Sequence, residues 1–204
     1  MNIEQWLSII SDSFLGLSAI VVAVVAIIGL YAWRRELKGR VLFDVARNII
    51  RLSIELKDNF EWARFPVGSS DESTNRQKAA NESESESQMR DLWHARWNRL
   101  KPVVANLQAL QEMDWEIQAL LGEKSKQISS AIKMYRECYA DLNTAISEYF
   151  SIQVEAVVNK SPYHRPEYLR ELEHIIYGRS NDELSKKVNA AQEQLATSLT
   201  PFVK

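Results

Sequence analysis

The sequence predicts an all-α protein, with one amino-terminal transmembrane helix followed by a cytoplasmic antiparallel helical bundle of about four long helices and a short one. Three observations predict it. An uncharged run fills residues 14–33, apolar residues recur at steps of three and four through most of the remaining chain, and the six glycines and five prolines fall mainly at segment ends. No candidate strand emerges. The 204 residues suffice for one sizeable domain, or a smaller one with an anchor, and a net charge of −2 provides no global field to draw the chain onto nucleic acid.

The span comes first. From Phe14 to Trp33 there are twenty residues without a charge, eleven of them Leu, Ile, Val or Phe. At about 1.5 Å of rise per residue, such a helix matches the roughly 30 Å hydrocarbon core of a bilayer. Tyr31 and Trp33 stand at its exit, where amphipathic rings prefer the headgroup level, and Arg34, Arg35, Lys38 and Arg40 come next. Residues 1–13 contain Glu4 and Asp12 but no Lys or Arg, and no cleavage site lies after the span, so a cleaved signal peptide is not expected. The positive-inside rule places that short segment outside and everything after Trp33 in the cytoplasm.

Residues 34–51 carry Arg34, Arg35, Lys38, Arg40, Arg47 and Arg51 against Glu36 and Asp44. Anionic lipid headgroups are expected to meet this stretch, at about 1 kcal/mol per basic residue near the surface. Within the span, Gly16, Ala19, Ala23 and Ala26 are spaced three, four and three. Small residues on one side permit close helix–helix contact in the membrane, and with it a homo-oligomer.

A basic juxtamembrane amphipathic helix is expected within residues 34–66, from Glu36 to Phe65, on the stripe Leu37, Val41, Val45, Ile49, Leu52, Leu56 and Phe60. Pro66 and Gly68 end it. Residues 67–88 read as a disordered acidic, Ser-rich loop, because positions 68–87 offer no aromatic or branched apolar side chain to repay the entropy of ordering.

The bundle is expected over residues 89–200. Its first helix starts near Met89 with Leu100, Val104, Leu107, Leu110, Ile117 and Leu121 on one face, Pro102 either kinking it or opening a new helix, and Gly122 ending it. The next, Glu123 to Val158, carries Ile128, Ile132, Tyr135, Tyr139, Leu142, Ile146 and Tyr149 at heptad-like spacing. A short helix from Pro166 to Tyr177 stops at Gly178. Ser180 and Glu183 form a capping box before the last helix, whose stripe is Leu184, Val188, Ala191, Leu195 and Leu199 and which Pro201 closes.

Signals for chemistry are sparse. Cys138 is the only cysteine, which excludes an internal disulfide and any multi-cysteine metal site. His94, His164 and His174 are far apart, without a metal-ligand partner at helical spacing, and there is no glycine-rich phosphate loop or nucleophile elbow. The nearest approaches to a HEPN-type nuclease motif are Arg90 to His94 and Arg170 to His174, and both fall short of its spacing. Trp93 and Trp97 interleave with Arg96, Arg99 and Lys101 as they would for stacking on a nucleic acid. On a helix they line up with Leu100 and Val104, so core packing is the expectation and a nucleic-acid partner is not. No catalytic residue, cofactor or metal ligand is assigned.

Trp33, Arg35, Leu37, Lys38 and Gly39 form a W-x-R-x-L-K-G exit. Over residues 33–66 this stretch resembles a group of uncharacterised bacterial single-pass inner-membrane proteins with a helical cytoplasmic domain. The resemblance implies a bacterial inner-membrane setting and imports no activity or site residue. The functional expectation is a non-enzymatic membrane-anchored protein that binds a protein partner or acts as a scaffold. The alternatives are a membrane-disrupting effector with a cytoplasmic sensor domain, as in antiphage defence, and a membrane-tethered enzyme without a recognisable motif.

Overall fold

The computed structural model describes residues 3–66, 72, 76–160, 166–178 and 181–203, with side chains from residue 15 onward. It is all-helical, and no strand occurs among the described residues. The helices are α1 (Ile3–Arg64), α2 (Glu84–Leu121), α3 (Lys126–Asn159), α4 (Pro166–Ile176) and α5 (Glu183–Val203), with a 3₁₀ turn at Gly122–Ser125 between α2 and α3. Two compact units divide the chain, Met1–Asp44 and Val45–Lys204.

In the first unit, α1 carries the apolar run. Its helix from Leu15 on is long and apolar enough to cross a membrane, and its apolar stretch is not buried. Gly39 interrupts nothing, since the helix continues through it.

The second unit holds the core, which begins at Val45. Leu37 and Val41, expected on the buried stripe, stay exposed, whereas Val45, Ile49, Leu52, Leu56 and Phe60 are buried as the spacing predicts. The unit therefore starts at Val45, twelve positions after Trp33 rather than directly behind it. Helix α3 packs against α2, α4 and α5. It reaches α1 through Tyr135, whose ring stacks on Phe60 at 6.4 Å and whose hydroxyl donates to the Ser53 carbonyl at 3.2 Å. Each large apolar side chain that this core withdraws from water contributes about 1.5–3 kcal/mol.

Three details of the helix ends differ from the sequence expectation, and at Pro102 one of the two expected outcomes does not occur. Helix α2 starts at Glu84 and not near Met89, because Ser83 Oγ accepts from the Glu86 amide at 3.2 Å and caps it. No new helix opens at Pro102, which stays exposed inside α2. Pro201 does not close α5, which runs on to Val203. The cap of α5 is Asp182, whose Oδ1 accepts from the Ser185 amide at 2.8 Å; Ser180 lies outside the described residues.

Elsewhere the punctuation is as expected. Gly122 ends α2 with φ of 57°, a left-handed backbone that suits glycine, and its amide donates to the Gln118 carbonyl. At the hairpin this turn creates, Asp114 is buried and accepts from Ser129 Oγ at 2.6 Å and Gln118 Nε2 at 2.9 Å.

Candidate functional site: the membrane exit and an arginine junction

Every residue proposed for the membrane boundary and the helix contact is exposed. Gly16, Ala19, Ala23, Ala26, Tyr31, Trp33, Arg34, Arg35, Lys38 and Arg40 all belong to the first unit. Arg40 donates to Glu36 at 2.6 Å one turn away, an exposed pair of the kind that contributes well under about 1 kcal/mol.

The second unit contains a polar constellation that no motif announces. Helix C-termini leave carbonyls without intrahelical partners, and cations suit the negative end of the helix dipole. Here three arginines answer that need. Arg64, at the end of α1, donates from Nε to the Ile175 carbonyl at 2.9 Å and from Nη2 to the His174 carbonyl at 3.3 Å, capping α4. Its Nη1 donates to Asp182 Oδ1 at 3.0 Å and to Ser185 Oγ at 2.8 Å, and Nη2 also pairs with Asp182 Oδ2. All five N–H groups of the guanidinium are thereby used. The side chain of Arg64 is 4 % exposed.

From α2, Arg96 and Arg99 turn inward to the end of α1. Arg96 donates to the carbonyls of Phe65 at 2.6 Å and Pro66 at 3.0 Å, with its guanidinium 4.6 Å from the centre of the Tyr177 ring. Arg99 donates to the Phe65 carbonyl at 2.6 Å, chelates Glu72 at 2.6 and 2.8 Å, and lies 4.6 Å over the Trp62 ring. Burial pushes the Arg96 guanidinium below the usual arginine range, against the Tyr177 hydroxyl that favours its charge. It stays charged at any physiological pH.

Gly178 lies in the middle of this junction. A Cβ there would run into the Asp182 carboxylate and the Arg64 guanidinium, and would meet the His174 carbonyl oxygen at 2.6 Å. Sequence spacing marks Gly178 only as a helix stop; its tighter constraint is the ion pair against it. The junction unites residues far apart in sequence, so spacing could not have revealed it.

The aromatic–basic stretch resolves the same way. Trp93 stacks on Phe150 at 6.3 Å, as core packing requires, while Arg96 and Arg99 are spent on the α1 end. Arg90 pairs with Glu86, His174 is exposed on α4, and His164 lies outside the described residues. Among the described residues no group of three His, Cys, Asp or Glu side chains could hold a metal ion. Cys138 is buried, and burial pushes its thiol up to about 11, which suppresses the reactive thiolate.

Part of the segment read as a disordered loop is anchored to α2. Arg76 donates to Glu82 at 2.6 and 2.8 Å and to Asp91 at 2.6 Å. The hydrogen bonds from Arg76 hold the Glu82 carboxyl down to about 2 and keep Asp91 below the ordinary carboxylate range. A carboxyl depressed in the folded state stabilises fully above its unfolded pKa and loses that contribution as pH falls through its folded one. The window for Glu82 therefore runs from about 4.5 down to about 2. Glu82→Gln is expected to lower the urea midpoint at pH 7 and to lose most of that difference at pH 2, measured by far-ultraviolet circular dichroism in detergent.

No family model, curated protein or solved structure matches the chain. The reading of function rests on the chain's own chemistry.

Proposed function

We propose that this chain is a non-enzymatic single-pass membrane protein of the bacterial inner membrane, whose cytoplasmic part is an antiparallel helical bundle that serves as a protein-interaction or scaffold module. One observation carries the reading: the chain has a helix long and apolar enough to cross a membrane whose apolar stretch is not buried, and the core lies among residues from Val45 on. Hydrocarbon is the solvent that such a surface matches. The short connection between α2 and α3 favours antiparallel neighbours. Charge asymmetry about the span orients the amino terminus outward, and residues 34–51 meet anionic headgroups on the cytoplasmic side. Binding is the role proposed for the bundle. Its partner is a protein.

The test is a pair of reporters fused after Lys204. A fluorescent protein that matures only in the cytoplasm should glow in the membrane fraction, and an alkaline phosphatase that works only in the periplasm should stay inactive. An active phosphatase would reverse the orientation, and recovery of the fusion in the soluble fraction would remove the anchor.

A further inference from the structure

We propose that the end of the second unit at which α1 enters, formed by the α2–α3 turn and the last turn of α5, rests on anionic lipid headgroups through Arg47, Lys124, Phe202 and Val203. The inference rests on the membrane-spanning reading above and adds to it a lipid-contacting surface beyond the basic exit.

Contacts inside the second unit show which elements share this end. Helices α2 and α3 run antiparallel, since Asp114 accepts from Ser129 close to the turn and Trp93 stacks on Phe150 far from it. Helix α5 is antiparallel to α3 as well. Lys187 near its start pairs with Asp141, whereas near its end Gln194 donates to the Gln127 carbonyl at 2.7 Å and Ser198 to Gln127 Oε1 at 3.5 Å. The start of α5 also holds Arg64, through Asp182 and Ser185, so α5 begins beside the end of α1. Within this unit α1 and α3 therefore run the same way, and they meet where Tyr135 donates to the Ser53 carbonyl. Eight residues back along each helix stand Gln127 and Val45, the first core residue. Val45, the Gly122–Ser125 turn and the last turn of α5 share one end.

What meets this end follows from the chain. From Trp33 to Val45 the backbone is continuous helix, so twelve residues of rise hold Val45 within about 18 Å of the exit from the span. The headgroup layer beyond the hydrocarbon occupies about 5–8 Å of that distance, and tilt of α1 shortens the remainder. Helix α5 runs five residues past Ser198, about 7 Å, toward this same end. Its last turn is thereby brought to within the reach of one long side chain of the headgroups.

The chemistry of the surface agrees with that placement. Leu121, Phe202 and Val203 stay partly exposed where α2 and α5 end, and apolar side chains beside cations are what the headgroup level favours. Arg47 and Lys124 are exposed and enter no ion pair among the described residues, while Lys126 pairs with Glu123. Near the tip Arg47, Lys124 and Lys126 stand against Asp44 and Glu123, so anionic lipid meets no net repulsion. Glu116 and Glu193 lie at least one turn further back.

The experiment uses the full-length chain in vesicles of phosphatidylethanolamine and phosphatidylglycerol that contain a lipid with a nitroxide on its headgroup. A fluorophore is attached to one introduced cysteine at a time: Glu123→Cys and Pro201→Cys at the proposed surface, Glu167→Cys at the exposed start of α4, and Trp33→Cys at the exit of the span. Cys138 is fully buried and stays silent, and the parent protein checks this. Quenching by the nitroxide is expected to be several-fold stronger at 123 and 201 than at 167, and strong at 33. Arg47→Glu together with Lys124→Glu, both at exposed positions, is expected to lower quenching at 201 at least twofold without changing it at 33. Quenching at 123 and 201 no greater than at 167, or undiminished at 201 by the two charge reversals, would overturn the headgroup contact while leaving the span intact. Absence of quenching at 33 would overturn both.

Discussion

Arg64→Ala is expected to lower the melting temperature of the helical unit by about 6–12 °C, read from the loss of helix signal of the full-length protein in detergent. The substitution takes the partner from Asp182 and uncaps the carbonyls of His174 and Ile175 in one step. Breaking a buried ion pair costs about 3–5 kcal/mol, and the lower end applies here because the Asp182 side chain keeps 27 % exposure. About 3 kcal/mol corresponds to the stated shift for a unit of this size. Burial opposes ionisation of Asp182, but the hydrogen bonds from Arg64 and Ser185 outweigh it and hold the carboxyl below its ordinary range.

Gly178→Ala attacks the same contact from the other side, because its methyl group needs the space that the ion pair fills. It is expected to destabilise by a similar amount. The double variant should lose clearly less than the sum of the two, since each already opens the same junction. Arg64→Lys should recover only part of the loss, because one ammonium cannot reproduce a five-donor fork. A melting temperature for Arg64→Ala within a degree of the parent, or full additivity with Gly178→Ala, would show that the junction does not hold α4 and α5 to α1.

The second large effect concerns orientation. Replacing Arg34, Arg35, Lys38 and Arg40 together by glutamine removes the charge cluster nearest the span while keeping good helix formers. The proposed topology predicts that a substantial fraction of chains then inserts with the opposite sense, so that a phosphatase fused after Lys204 rises from background to ready detection. The exposed Arg40–Glu36 pair is too weak for its loss to unfold the helix. The same number of glutamines placed at Lys124, Lys126, Lys133 and Arg136, far along the chain, should leave the phosphatase inactive. If the four exit substitutions also leave it inactive, these residues do not set the orientation.

What could be read along the chain and what could not divide by the range of the interactions. The uncharged run from Phe14 to Trp33, the stripes of α3 and α5 and the stop at Gly122 are local matters of spacing and backbone preference, and the structure bears them out as helices. Helix ends were less legible. Ser83 caps α2 several residues before the start expected near Met89, and Asp182 caps α5 where Ser180 had been expected, because several nearby side chains can cap and only the packed helix selects one. Leu37 and Val41 carry the same periodic signal as Val45 and Ile49, yet only the latter are buried, since periodicity marks a face and not what covers it. Arg96 and Arg99, which alternate with tryptophans in the sequence, are buried caps of α1. Their carbonyl partners lie some thirty residues away, and those of Arg64 lie more than a hundred. Sequence patterns within a turn or two establish helices and the apolar span; where a charge is spent is decided only when distant helix ends are brought together, because an unpaired carbonyl at a buried helix end costs free energy only once the fold has removed the water from it.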